Sequence, residues 1–184
     1  MDVEVIAIGD EILQGFVVNS NAAFISQQLR LSGFTVKQHS VLSDDGEELR
    51  IGIEEALKRS SLVIATGGLG PTCDDITRKV VAEIYDSEWC FNEEIADRLK
   101  KKYGEKLVSL EDQATVPSNA KVLFNSVGTA PGLIFASKNT TLILLPGVPV
   151  EMKLMLLDGV IPYLQETFLP KRRLYFVDVY FCIL

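Results

Sequence analysis

The stretch from Leu62 to Ile84 constrains this chain most. An apolar, β-rich run, Leu62 to Ala65, leads into Thr66-Gly67-Gly68-Leu69-Gly70-Pro71-Thr72-Cys73-Asp74-Asp75-Ile76-Thr77, and a helical pattern leads out to Ile84. Three glycines in four positions let the backbone adopt positive φ and approach a ligand closely. Pro71 stiffens the exit from the turn. A helix N-terminus presents free N–H groups and favours anions. A strand, a glycine turn, two acids and a helix start together suit a phosphorylated ligand, with a cation between acids and phosphates. The structural alternative is a glycine-rich connection whose acids only cap the helix.

The rest of the first half repeats the same unit. Val3 to Ile8 reads as a buried parallel strand. Asn19-Ser20-Asn21 caps a helix over Ala22–Leu31, and Gly33 ends it. Phe34 to Leu42 is β-rich, Ser43-Asp44-Asp45-Gly46 is a turn and cap signal, and Glu47 to Arg59 reads as a helix with i,i+4 charge pairs. This β-α-β-α-β-α order predicts a mostly parallel sheet with helices on both faces, an α/β fold. Right-handed crossovers then bring the loops after the strands to one rim. That rim collects Asp10, Glu11, Asp44, the glycine turn, Asp74 and Asp75.

Further on, Asn92 caps a helix over Glu93–Tyr103 that Gly104 ends. Val122–Phe124, Leu133–Phe135 and Thr141–Leu145 read as strands. Leu145-Pro146-Gly147-Val148-Pro149-Val150-Glu151-Met152 is again strand, tight turn and helix start. Pro149 suits the first helical turn, and Glu151 suits the positive end of its dipole. Met152 to Phe168 continues as a helix bent at Gly159 and Pro162. Residues 1–170 read as one domain. Residues 171–184 read as a strand-like tail, or a remnant of a following domain.

Composition excludes several function classes. The net charge of −7 argues against a nucleic-acid surface. Lys100-Lys101-Lys102 reads as a solvated helix face. Asp2 and Glu4 interrupt any apolar signal segment, and no apolar run is long enough to span a bilayer. Three cysteines at wide spacing form no disulfide or zinc pattern. A cytoplasmic setting, with neither membrane nor nucleic acid as partner, is expected. The one histidine, His39, lies in a predicted strand and reads as structural. Cys73 beside two acids is a poor nucleophile, because they raise a thiol pKa. What remains is carboxylates, glycine-turn amides, threonines and asparagines, an inventory suited to a hard cation and phosphate chemistry.

Gly9-Asp10-Glu11-Ile12-Leu13-Gln14-Gly15 with Asn19-Ser20-Asn21, then Thr66 to Thr77, Asn125 to Gly132 and Leu145 to Met152, resemble the N-terminal domain of the competence/damage-inducible CinA proteins. That domain is related to the molybdenum-cofactor fold of MoaB and MogA. The resemblance spans residues 3–168 and implies a three-layer α/β/α fold that self-associates as a dimer or trimer. It implies one of two activities: metal-dependent hydrolysis of ADP-ribose, or binding and adenylylation of molybdopterin. Where the transferases read T-G-G-T-G followed by Arg-Asp, this chain has Leu69 and Asp74. That exchange of a cation for an anion makes the metal-dependent pyrophosphatase the leading expectation. The pterin protein is the alternative, and a non-catalytic nucleotide-binding domain is a third reading.

By the same resemblance Asp44 and Asp75 are the expected catalytic acids. Glu11, Asp74 and Asp75 are the expected ligands of a divalent metal such as Mg²⁺. Asn21, Gly67, Gly68, Leu69, Gly70, Thr72, Gly147, Pro149 and Glu151 are the expected contacts to a nucleotide or pterin phosphate. Asp10 and Cys73 depart from the family's usual threonine and proline. Longer members continue into a middle domain and a deamidase domain, and deamidase activity is not expected here.

Overall fold

Val3–Ile8 (β1) is buried along its whole length, as a strand flanked by strands and covered on both faces must be. A computed structural model describes residues 1–70, 76–104 and 109–168. In it β1 lies between Val36–Leu42 (β2) and Leu62–Thr66 (β3), parallel to both. Thr141–Leu145 (β8) pairs parallel with β3. Gly132–Ala136 (β7) and Lys121–Leu123 (β6) complete the sheet, and β7 runs against both its neighbours. The order is β2-β1-β3-β8-β7-β6, a mostly parallel six-stranded sheet.

Side chains alternate across the sheet, so each strand feeds two cores. On one face Ile6, Val63, Leu142 and Leu144 pack under Gly46–Arg59 (α3), Thr77–Ile84 (α4) and Glu93–Tyr103 (α5), whose inward residues include Leu49, Ile53, Val81 and Leu99. On the other, Val3, Val5, Ile64 and Ile143 pack under Ser20–Leu31 (α2), Pro149–Met155 (α7) and Ile161–Phe168 (α8). This is the expected three-layer α/β/α arrangement. No helix among the described residues is long and apolar enough to cross a membrane.

The caps follow the sequence. Asn19 accepts the amide of Ala22, Asp45 accepts those of Glu47 and Glu48, and Asn92 accepts that of Ile95. His39 lies on β2, its Nε2 2.7 Å from the Ser26 hydroxyl.

Three short elements carried no periodic signal: Asp10–Leu13 (α1), and the antiparallel pair Trp89–Phe91 (β4) with Thr115–Pro117 (β5). Leu110–Ala114 (α6) precedes β5. The helix expected over Met152–Phe168 is interrupted by a π turn at Leu156–Val160. Pro162 has no N–H to give the carbonyl four residues back, and Gly159 has no Cβ beside Leu123, so the wider turn forms there. The tail at 171–184 lies outside the described residues.

One buried charge stands out on β1. Glu4 is fully buried and accepts from Arg59 at 2.6 and 2.9 Å, from Ser40 at 2.6 Å and from Ser60 at 3.3 Å. Burial alone would push its carboxyl up, but the Arg59 hydrogen bonds, the two hydroxyls and the Arg59 charge hold it below the usual value. A carboxyl depressed by folding stabilises above its unfolded pKa, and that contribution is lost as the pH falls through the folded value. Glu4→Gln is therefore expected to cost about 2 kcal/mol near neutral pH. The gap from wild type in urea denaturation should narrow as the medium is acidified below about pH 4.

Candidate functional site

The strands β2, β1, β3 and β8 end at one rim, and the loops after them enclose a cavity of about 550 Å³. Gly9 and Glu11 enter it after β1, Asp44 after β2, Thr66 to Gly70 from the end of β3, and Pro146 to Pro149 with Glu151 after β8. Asn21 reaches it from the first turn of α2, and Thr129 and Ala130 from the loop between β6 and β7. The structure thus brings Glu11, Asn21, Asp44, Gly67, Gly68, Leu69, Gly70, Gly147, Pro149 and Glu151 to one place. Thr72, Asp74 and Asp75 lie outside the described residues.

Main chain approaches main chain at this rim. Gly67 has φ 122° and Gly68 φ 65°. A Cβ on Gly67 would overlap the carbonyl oxygen of Ile8, and one on Gly68 would overlap the hydroxyl of Thr77. Gly67 donates its N–H to Leu145 O at 3.1 Å, and Thr77 donates to Gly68 O at 3.2 Å. The Leu69 side chain is turned into the core.

Asn21 and Thr66 lock the next turn. The Asn21 amide donates to Gly147 O at 2.8 Å and to the Thr66 hydroxyl at 3.2 Å, and that hydroxyl donates to Pro146 O at 3.0 Å. Asn21 Oδ1 is buried in the lining with no donor among the described residues.

The charged side chains on the wall are acidic: Glu11, Asp44 and Glu151. Among the described lining residues none is Lys, Arg or His. Asp44 is engaged with α1 through reciprocal bonds: Asp10 N–H to Asp44 Oδ2 at 3.2 Å, and Asp44 N–H to Asp10 Oδ1 at 3.3 Å. Glu151 Oε2 accepts the Asn125 amide at 2.6 Å. No group of three or more His, Cys, Asp or Glu side chains able to hold a metal occurs among the described residues. Of the three expected metal ligands only Glu11 is among the described residues, at the cavity wall.

A family model described as a probable molybdopterin binding domain matches residues 4–166. The chain belongs to this family. A relative described as a putative competence-damage inducible protein, from Clostridium tetani, is 44% identical over 170 residues, covering 90% of this chain and 42% of its own length. The chain thus spans about two-fifths of the length of the curated relatives it matches. The crystal structure of the protein CinA from Thermoplasma acidophilum is 39% identical with a TM-score of 0.79, covering 87% of this chain and 97% of that one. The molybdopterin biosynthesis enzyme MoaB from Thermus thermophilus superposes with a TM-score of 0.62 at 17% identity, covering 90% and 92%. At that identity the likeness shows the fold.

These findings correct the leading functional expectation. The family model names molybdopterin binding and does not support a metal-dependent ADP-ribose pyrophosphatase. The alternative reading is the better supported one. The preference for the hydrolase rested on Asp74 in place of a cation, a position outside the described residues.

Sequence reasoning also passed over lining residues. Val17 and Val18 border the cavity with no local signal, since an exposed apolar pair looks like core in one dimension. Thr66 was legible only as a strand end. Its hydroxyl bond to a turn eighty residues away is a tertiary fact.

Gly68→Ala is expected to cost about 1–2 kcal/mol for the left-handed backbone alone, with the Thr77 clash added. A lowered thermal midpoint checks this; an unchanged one would show that the turn re-forms around a side chain.

Proposed function

We propose that this domain binds a molybdopterin-type pterin phosphate in the cavity at the strand ends. The observation that carries the reading is the match of residues 4–166 to the probable molybdopterin binding domain, taken with the cavity those residues enclose. The chemistry of the wall is consistent with it. A pterin presents an N–H and an amino group along one edge of its pyrimidine ring, and carboxylates accept such donors in charge-assisted bonds. Glu11, Asp44 and Glu151 supply acceptors of that kind. Backbone N–H groups of a glycine turn leading to a helix start suit a phosphate without a cationic side chain. Val17, Val18, Val148 and Pro149 offer apolar surface to the faces of a flat ring.

In this reading the chain's own residues bind and orient. Gly67 to Gly70 bring main chain to the phosphate, Asn21 holds the turn at Gly147 against Thr66, and the acidic wall takes the ring edge. Self-association as a dimer or trimer belongs to the same proposal, and light scattering should return a mass of two or three chains.

Calorimetry with anaerobically prepared molybdopterin tests the assignment. Saturable binding is expected, weakened at least tenfold in Gly68→Ala. Absence of heat at ligand concentrations up to the millimolar range would remove the reading. Adding ATP to the complex asks whether an adenylylated product and pyrophosphate appear.

A further inference from the structure

We propose that Asn125 is a positioning residue of the cavity, acting through Glu151. The identity of the ligand rests on the pterin-phosphate reading; the geometry stands without it.

Asn125 follows β6 and faces two ways. Its Oδ1 accepts the amides of Val127 at 3.0 Å and Gly128 at 2.7 Å, which folds the chain into a tight turn. Its Nδ2 donates to Ala130 O at 3.0 Å and to Glu151 Oε2 at 2.6 Å. A primary amide has two N–H donors and two acceptor lone pairs, so these four bonds use its whole capacity. Thr129, Ala130 and Glu151 all line the cavity. One side chain therefore holds both the loop wall and the acid beside it.

Two further observations point the same way. A Cβ on Gly128 would overlap the Glu151 carboxylate and lie 2.7 Å from Asn125 Nδ2, so Glu151 occupies space that only glycine leaves open. On the far side, Lys102 Nζ donates to the carbonyls of Ser126 and Val127 at 2.6 Å each, and the Tyr103 hydroxyl donates to Val127 O at 2.8 Å. The turn is thus clamped between the end of α5 and the start of α7, and Asn125 makes the bond to α7. Glu151 sits in the first turn of α7, where the helix dipole favours a carboxylate. The dipole draws the charge in, and the Asn125 amide sets where it rests.

The chemistry requires an amide at position 125. Asn125→Asp keeps the acceptor for Val127 and Gly128 but sets a second carboxylate against Glu151. Like charges at that separation cannot both stay ionised without cost, and the pair takes up a proton at higher pH than either acid alone. Asn125→Asp also gives up the bond to Ala130 O, so dependence on the side chain at 151 is what separates positioning of Glu151 from service to the turn alone.

The experiment compares molybdopterin affinity in wild type, Asn125→Asp, Glu151→Gln and the double variant Asn125→Asp/Glu151→Gln across pH 5 to 8. Positioning predicts a loss of about tenfold or more in Asn125→Asp at pH 8 that shrinks towards pH 5. It also predicts coupling: Glu151→Gln costs affinity alone but several-fold less in the Asn125→Asp background, where the Gln amide donates to the new carboxylate. Wild-type affinity in Asn125→Asp at every pH, or the same cost of Glu151→Gln in both backgrounds, overturns the proposal. Should the wild type not bind molybdopterin, the pterin reading fails and a ligand-free measurement decides this one. In the unliganded protein the side-chain amide resonances of Asn125, followed by ¹⁵N NMR, should move in Glu151→Ala while the Val127 and Gly128 backbone resonances stay near wild type. Unmoved Asn125 side-chain resonances overturn the proposal whatever the ligand.

Discussion

The cavity exists because main chain packs directly on main chain where β1, β3 and β8 end. Gly67 lies against the carbonyl of Ile8 on one side, and a Cβ on Gly147 would stand 3.4 Å from its Cα on the other. The Gly67 amide closes onto Leu145, and Thr66 and Asn21 tie the adjoining turn. Unpaired backbone groups at such depth would each cost about 1–3 kcal/mol. The close approach and the bonding pattern are therefore one constraint: a side chain at Gly67 would push β1 and β8 apart and break the bond to Leu145. From that anchored point the glycine turn departs in a left-handed conformation, and the walls of the cavity follow.

Charge on those walls explains why a cation-centred reading arose. Glu11, Asp44 and Glu151 are the residue types a hard metal takes, and they are equally the types that accept a ring's N–H donors. Residue type alone does not separate the two uses; convergence does. In the structure Asp44 exchanges bonds with Asp10, Glu151 is bonded to Asn125, and no metal-holding group of acids is found among the described residues. Asp44 and Glu151 are each engaged by a neighbour, and Asp74 and Asp75 lie outside the described residues.

Much of the architecture was legible because it is written at short range. The caps Asn19, Asp45 and Asn92 each act within three residues, and the helices they start were readable from their periodicity. The buried runs at Val3–Ile8, Leu62–Thr66 and Thr141–Leu145 were legible because a strand covered on both faces must be apolar throughout. The three-residue strands β4 and β5 were not, because three residues give no period. The π turn was half legible: Gly159 and Pro162 marked a bend, but its form depends on how closely Leu123 approaches. At the site, the glycine turn and the strand-end rim could be placed from alternation and handedness. The roles of Thr66 and Asn125 could not, since their partners Pro146 and Glu151 are distant in the chain.

By itself the sequence determined the α/β alternation, the helix caps, and the rim at which a ligand meets the sheet, because each follows from contacts between near neighbours and from the handedness of L-residues. Only the tertiary structure decided which groups share the cavity and how each is engaged. Distances between residues such as Asn21 and Gly147, or Asp10 and Asp44, are set by how the layers pack, and no local pattern encodes them.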